Sequence, residues 1–282
     1  MANRYFSQYL LNEGILTPEN AGLMLAKSIS VEPDLTVVAL EKGLIGVDQA
    51  VELVDNRFEE VVLAKKYLTA LQLDDLKKAV PERGACLGQV LLNEGIVGLV
   101  DLAKLYEASS KAGSQPIASV VSSLLKNKGM EPAEKEHWVD YVELLVGTMQ
   151  RFMNTDAILL QSGEAADEAD KTYLVSQSMN GALSLTAGCF MCGSVLLTMA
   201  NRFSGEELTE VDEMAVDCLE EFCNVLNGLY IVNMSGKNMD MDLDMPKTEE
   251  DALPTGADVL SLQVETEFGA WTLYMSDHGF IV

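Results

Sequence analysis

The sequence lacks the features of membrane-spanning and secreted proteins. No run of about 18 or more apolar residues occurs, so no transmembrane helix is expected. Residues 1–8 (MANRYFSQ) lack the apolar core of a signal peptide. The 5 cysteines are odd in number and their spacing indicates no disulfide framework. Together these absences predict a cytoplasmic protein.

Histidine and metal-binding cysteine patterns are also scarce. His137 and His278 are the only histidines and lie far apart, which argues against a histidine-based catalytic triad. No glycine-rich phosphate loop followed by Lys-Ser/Thr occurs. Cys189 and Cys192 form one CxxC pair in an apolar stretch without a second pair, so core packing is favoured over zinc or redox chemistry.

Basic residues are rare in the second half of the chain. The net charge is −25 overall, and residues 137–282 hold 25 acidic against 5 basic residues, a net charge of −20. A surface this negative repels phosphate backbones and anionic lipids, so neither nucleic acid nor a membrane is expected as a partner. A basic or metal-containing protein partner is favoured, and the simpler alternative is that the acidity serves solubility.

The first half of the chain repeats itself. The segment LLNEGI at residues 10–15 recurs identically at 91–96, with looser copies at 39–45 and 124–132. A degenerate copy without glycine is predicted at 67–76. Regular self-similarity of this kind is typical of stacked supersecondary units.

Each unit predicts a helix, a turn and a second helix. The first helix ends at a glycine that can take the left-handed conformation, and a Thr-Pro-Glu-like segment such as Thr17-Pro18-Glu19 starts the second. The predicted buried stripes are Leu23, Leu25 and Ala26 in one unit and Ala50, Leu53 and Val54 in the next. We therefore predict an all-α repeat module over residues 1–132 and a second domain over 133–282.

The repeats resemble the N-terminal helical repeats of type II secretion ATPases, some of which bind cyclic di-GMP. The best match to that family's nucleotide motif is residues 86–95 (CLGQVLLNEG). Cys86 stands where the family has an arginine, and the family's later glutamine is absent. A helical scaffold or protein-docking module is therefore favoured over a nucleotide sensor.

The second half predicts an α+β domain with an antiparallel sheet. An acidic loop is expected at 163–170, and a long helix at 209–234 with an apolar stripe along one face. The strand candidates are residues 156–161, 173–179, 182–186, 193–200, 239–245, 259–265 and 269–275.

Four residues of the long helix form a distinctive pattern. Glu221 and Asn224 are three residues apart and so share one helix face, with Asp217 one turn earlier and Gly228 one turn later. This Glu-x-x-Asn is the only one in the chain. The pattern resembles the CheX/CheC family of chemotaxis phosphatases, in which a helix reads approximately Asp-x-x-x-Glu-x-x-Asn-x-x-x-Gly.

Neighbouring segments agree with this resemblance, which covers about 140 residues. They are a glycine-led apolar segment at 193–199, a Leu-x-x-Pro segment at 243–246 and a glycine-led last strand from Gly269. The family has a further helix before the motif helix. Either that helix is nearly lost here, or residues 192–201 are that helix rather than a strand.

The resemblance implies a phosphatase that acts on the phosphorylated aspartate of a CheY-like response regulator, in chemotaxis or two-component signalling. Asn224 would orient the attacking water, Glu221 would pair with the regulator's active-site lysine, and Asp217 and Gly228 would contact the partner. Magnesium would belong to the regulator, and no cofactor or metal is expected in this chain. Family members often form dimers through their sheets, so the resemblance allows a homodimer.

Two alternatives remain open from the residues alone. One is a non-catalytic CheX-like module that docks on a response regulator or flagellar component. The other is metal binding by Asp240, Asp242 and Asp244, which share one strand face; a solvated strand face is the favoured interpretation.

Overall fold

The computed structural model describes residues 4–54, 57–80, 86–161 and 171–282. They divide into two compact units, Met1–Pro116 and Ile117–Val282. The acidic loop predicted at 163–170 lies outside the described residues. The predicted domain boundary at 132/133 stays a prediction, because the compactness of a unit and its independent folding are different properties.

The N-terminal unit consists of short helices arranged as helix–turn–helix units. Its helices are α1 (Phe6–Asn12), α2 (Pro18–Ser28), α3 (Leu35–Glu41), α4 (Val47–Leu53), α5 (Phe58–Ala64), α6 (Ala70–Ala79), α7 (Leu87–Asn93) and α8 (Leu99–Ala112). A further helix, α9 (Gln115–Asn127), begins at the division between the units.

The predicted glycine turns are present. Gly14, Gly43, Gly95 and Gly129 all have positive φ angles. In the turn after α7, the Gly95 N–H donates to the Leu92 carbonyl at 3.0 Å and the next N–H donates to Leu91 at 2.9 Å. This pattern satisfies carbonyls that a helix end leaves without partners.

The degenerate repeat contains the same turn, but the repeat begins at a different residue from the one predicted. Lys66, with φ 58°, occupies the place of the glycine between α5 and α6. The Tyr67 N–H donates to the Val62 carbonyl at 2.9 Å, as in the glycine turns. The segment 67–76 is therefore the second half of a unit that begins at Phe58, and the missing glycine concealed this register.

Two residues of the predicted buried stripes are exposed. Leu23 is 57% exposed, because the buried residues of α2 recur at 21, 24, 25 and 28 and Leu23 lies on the opposite side of the helix. Val54 is 40% exposed because α4 ends at Leu53 and Val54 itself has a non-helical ψ angle of 126°. The predictions for Leu25, Ala50 and Leu53 are confirmed.

The C-terminal unit is an antiparallel sheet with long helices, as predicted. Besides most of α9, its helices are α10 (Glu136–Met153), α11 (Gly193–Ser204) and α12 (Glu213–Ser235), and a 3-10 turn covers Pro132–Glu134. Its strands are β1 (Ile158–Leu160), β2 (Thr172–Gly181), β3 (Ser184–Cys192), β4 (Met241–Leu243), β5 (Lys247–Glu250), β6 (Leu260–Thr266) and β7 (Gly269–Ser276).

The strands form one sheet in the order β1-β6-β7-β3-β2-β4, with β5 also paired to β2. The longest pairing joins β2 and β3, with Thr172 opposite Cys192 and Asn180 opposite Ser184. The strands predicted at 259–265 and 269–275 are present as β6 and β7, which pair with Val264 opposite Trp271. The helices α10, α11 and α12 pack against one another, and α11 and α12 also contact the sheet.

The strand predicted at 193–200 is wrong, since this segment is helix α11. Its buried residues Val195, Leu196, Met199 and Ala200 follow helical spacing, whereas an alternating strand would bury every second residue. Short apolar runs do not distinguish the two periods, which explains the error. With α11 assigned, the helix that the family resemblance requires before the motif helix is present.

Candidate functional site

Helix α12 carries the candidate site, and its buried face fixes its orientation. Asp212 caps its first turn by accepting a hydrogen bond from the Ala215 N–H at 3.0 Å, an interaction typically worth about 1 kcal/mol. Leu219, Phe222 and Leu226 are fully buried, as the apolar stripe predicted. The helix therefore cannot rotate about its axis without exposing this stripe, and its opposite face is held toward the surface.

The predicted pair lies on that outward side. Glu221 is exposed, and Asn224 is half-buried beside it. The Asn224 Nδ2 donates to Glu221 Oε2 at 3.3 Å. The two side chains therefore form one polar cluster, with the carboxylate in solvent and the amide closer to the protein body.

The flanking motif residues extend the same stripe. At 100° per residue, Asp217, Glu221, Asn224 and Gly228 fall within an arc of about 60° on the helix. Asp217 is exposed and Gly228 is half-buried. A Cβ built on Gly228 meets no heavy atom within 4 Å, so open space lies above this turn. Exposed apolar side chains, Met214 and Val232, lie at the two ends of the stripe.

The neighbouring glutamate is engaged differently. The Thr248 hydroxyl on β5 donates to Glu220 Oε1 at 2.7 Å. Glu220 thus ties α12 to the strand, whereas Glu221 extends into solvent beside Asn224. Of these two adjacent and chemically identical residues, Glu220 is bonded within the fold and Glu221 lies in solvent.

Sequence reasoning missed the residues beneath Asn224. The Gln177 Nε2 on β2 donates to Asn224 Oδ1 at 3.1 Å and to the Asp244 carbonyl at 2.8 Å. Asn227 Nδ2 donates to Gln177 Oε1 at 2.8 Å, and the Tyr141 hydroxyl donates to Asn227 Oδ1 at 2.8 Å. The alternation of β2, which places Gln177 in line with buried Val175 and Met179, is the sequence signal that indicates it.

Ionisation of the buried groups supports this arrangement. Burial raises the pKa of Tyr141 well above its usual range, so its hydroxyl stays protonated and donates. A hydrogen bond with Cys189, together with burial, raises the pKa of the Cys223 thiol next to Asn224. Both residues of this buried layer are therefore neutral at physiological pH.

No metal cluster accompanies the site in the part of the chain that the structure describes. Within those residues, no group of three or more His, Cys, Asp and Glu side chains is arranged to hold a metal ion. The strand carboxylates have hydrogen-bond partners: Asp240 accepts from Ser235 at 2.8 Å and Asp244 accepts from Asn180 at 2.9 Å. Among the same described residues, no helix has the length and apolar character needed to cross a membrane.

Several solved structures are similar to this chain. No protein-family model and no curated protein matches the chain. CheX from Desulfovibrio desulfuricans is similar at 12% identity and a TM-score of 0.40, over 50% of this chain and 98% of that chain. CheX from Vibrio vulnificus is similar at 10% identity and a TM-score of 0.39, over 48% of this chain and 94% of that one.

A third similar structure is the CheX–CheY–BeF3–Mg complex from Borrelia burgdorferi, at 14% identity, a TM-score of 0.39, and 48% and 94% coverage of this chain and that one. The similar solved structures include CheX and CheC-like chemotaxis proteins, which cover about half of this chain and are the family that the sequence was predicted to resemble. The resemblance of the N-terminal repeats to secretion ATPases stays a prediction.

Proposed function

We propose that the C-terminal unit is a phosphatase that removes the phosphoryl group from the active-site aspartate of a CheY-like response regulator. The observation that carries the proposal is the Glu221–Asn224 cluster on the outward face of α12. There, a carboxylate in solvent adjoins an amide held from below by Gln177. One solved neighbour pairs a CheX with a CheY, which is the kind of partner proposed here.

The chemistry needs positioning more than covalent help. An aspartyl phosphate is an acyl phosphate: the water oxygen attacks phosphorus, the bond from phosphorus to the aspartyl oxygen breaks, and inorganic phosphate and the free carboxylate result. Holding the water in line with that bond supplies much of the rate enhancement in such transfers. Asn224, whose amide both donates and accepts hydrogen bonds, performs this step, while magnesium belongs to the regulator.

Glu221 supplies the docking contact. A solvent-facing carboxylate at this position pairs with a lysine in the regulator's active site through a charge-assisted hydrogen bond. The open space above Gly228 leaves room for the partner's backbone. The net charge of −20 over residues 137–282 attracts a partner with basic groups and speeds encounter at low salt.

The test is the decay of phosphorylated CheY-like regulators with wild-type protein, Asn224→Ala and Glu221→Ala. We expect wild-type protein to accelerate decay and Asn224→Ala to lower the maximal rate about 100-fold. Glu221→Ala should mainly raise the regulator concentration that gives half of the maximal rate. Asn233→Ala and Glu206→Ala, which change exposed residues of the same types, serve as controls and should retain the wild-type rate.

Binding is measured in the same series with beryllofluoride-loaded regulators. Gly228→Leu should weaken binding about tenfold, because its side chain fills the open space that the partner needs. Binding without faster decay would instead establish the non-catalytic docking module. If no regulator binds and none loses its phosphate faster, the proposed partner class is refuted.

A further inference from the structure

A line of buried polar side chains leads from the core of the C-terminal unit to Asn224. Tyr141 and Asn227 are each 1% exposed and Gln177 is 2% exposed. Burying an amide costs a few kcal/mol unless its hydrogen bonds are made, so a line of polar side chains at this depth would destabilise the fold if its members lacked partners. The cost is offset here because each member bonds to the next: Tyr141 to Asn227, Asn227 to Gln177, and Gln177 to Asn224.

The ends of this line determine which way every amide faces. The Asp244 backbone carbonyl only accepts hydrogen bonds, so the Gln177 group that meets it must be the NH2. The Gln177 side-chain oxygen Oε1 then accepts from the Asn227 NH2, and the second hydrogen of the Gln177 NH2 is donated to the Asn224 side-chain oxygen Oδ1. The Glu221 carboxylate, also an acceptor, meets the Asn224 NH2 at the surface. The amide of Asn224 therefore has one favoured orientation.

We propose that Gln177 is a positioning residue, which with Asn227 holds the Asn224 amide in one orientation toward the phosphoryl group. This inference rests on the proposed phosphatase function. The bonds to Gln177 and Glu221 use one acceptor site of Oδ1 and one hydrogen of Nδ2. The second acceptor site and the second hydrogen of the same amide then serve the attacking water. A freely rotating asparagine would present these groups to the water only part of the time.

The test replaces Gln177 with methionine, which has similar length and no amide. We expect Gln177→Met to lower the maximal dephosphorylation rate about 10- to 100-fold, since misplacing a positioning group costs this much. Its affinity for the beryllofluoride-loaded regulator should stay within about threefold of wild type, because Glu221 and the outer face of α12 are unchanged. Asn227→Leu removes the next bond but leaves Gln177 bonded to Asn224 and Asp244, so a smaller loss is expected.

The matched control is Gln263→Met. Gln263 is another buried glutamine of the same sheet, on β6, where its Nε2 donates to Glu265. It should leave the rate unchanged, which separates loss of positioning from a general effect of replacing a buried glutamine. Thermal unfolding of all variants identifies any that fail to fold, and Gln177→Leu, which also removes the amide, then decides in place of Gln177→Met.

A readout independent of activity separates this inference from the proposed function. In protein labelled with 15N-asparagine, the Asn224 NH2 signals, assigned with Asn224→Ala, should shift and exchange faster with water in Gln177→Met but not in Gln263→Met. If wild-type protein lacks phosphatase activity but the Asn224 signals still shift in Gln177→Met, the proposed function is wrong, whereas the conclusion that Gln177 orients the Asn224 amide stands. Unmoved signals, or a Gln177→Met rate within twofold of wild type in an active protein, would overturn the positioning role.

Discussion

At the scale of single residues, the environment of a side chain decides its role more than its type does. Glu220 and Glu221 are adjacent, yet one is bonded to Thr248 and the other lies in solvent beside Asn224. Asn224 is held by Gln177 from below, which an ordinary surface asparagine is not. The site residues themselves stay predictions, and the phosphate-release and asparagine-signal experiments test them.

A half-buried carboxylate elsewhere in the unit predicts a pH dependence of stability. Burial opposes the ionisation of Asp277, but hydrogen bonds from His137, Lys135 and Trp138 outweigh it and hold the pKa of this carboxyl well below its usual range. The Trp138 Nε1–H donates to Asp277 at 2.7 Å and His137 Nε2 lies 3.0 Å from it. Asp277 therefore ties the start of α10 to the end of β7.

The sign of this dependence follows from the lowered pKa. The ionised Asp277 contributes stability that is fully present above the ordinary aspartate pKa of about 4 and is lost as the pH falls below it. Asp277→Asn should lower the free energy of unfolding by about 2 kcal/mol at pH 7, and the difference should shrink toward pH 3. Urea unfolding at several pH values measures it, with the exposed Asp242→Asn as control. A pH-independent difference would contradict the assignment.

At the scale of elements, the repeat turns show one backbone geometry reached by different residues. Glycine takes the left-handed conformation at 14, 43, 95 and 129, whereas Lys66 takes it in the remaining unit. A residue with a Cβ adopts this conformation at a cost of roughly 1 kcal/mol, which glycine avoids. The geometry is thus imposed by the packing of the two helices and is easiest to adopt where glycine is present.

This geometry predicts opposite effects of exchanging glycine at two turns. Lys66→Gly should raise the free energy of unfolding by up to about 1 kcal/mol, because it removes the left-handed strain. Gly95→Ala should lower it by about 1 kcal/mol, although an added Cβ meets nothing within 4 Å. Gly95→Asn is the control, since asparagine tolerates the left-handed conformation better than alanine does. Chemical denaturation measures all three, and equal effects of Gly95→Ala and Gly95→Asn would refute the explanation.

At the scale of the whole molecule, the chain divides at Pro116 by compactness, while its sequence places the change of architecture at 132/133. The core of the C-terminal unit includes fully buried Trp138 and Tyr141 on α10, downstream of both positions. The candidate site and its buried polar line also lie entirely downstream of residue 133. The predicted boundary is therefore open to a direct test.

A fragment of residues 133–282 should fold on its own. It contains α10, the sheet, α11 and α12, so we expect one cooperative unfolding transition and wild-type Asn224 side-chain signals. A fragment of residues 117–282, which adds most of α9, is the comparison. If only the longer fragment unfolds cooperatively, α9 belongs to the C-terminal domain and the predicted boundary is wrong.

The sequence by itself determined the features that depend on residues close together in the chain. The glycine turns and the shared face of Glu221 and Asn224 follow from local spacing, because helix periodicity and backbone sterics act over a few residues. Only the tertiary structure decided that 193–204 is helix, since a short apolar run suits either period until its neighbours are known. It also decided the contact between Gln177 and Asn224, which are 47 residues apart and meet only because β2 packs beneath α12.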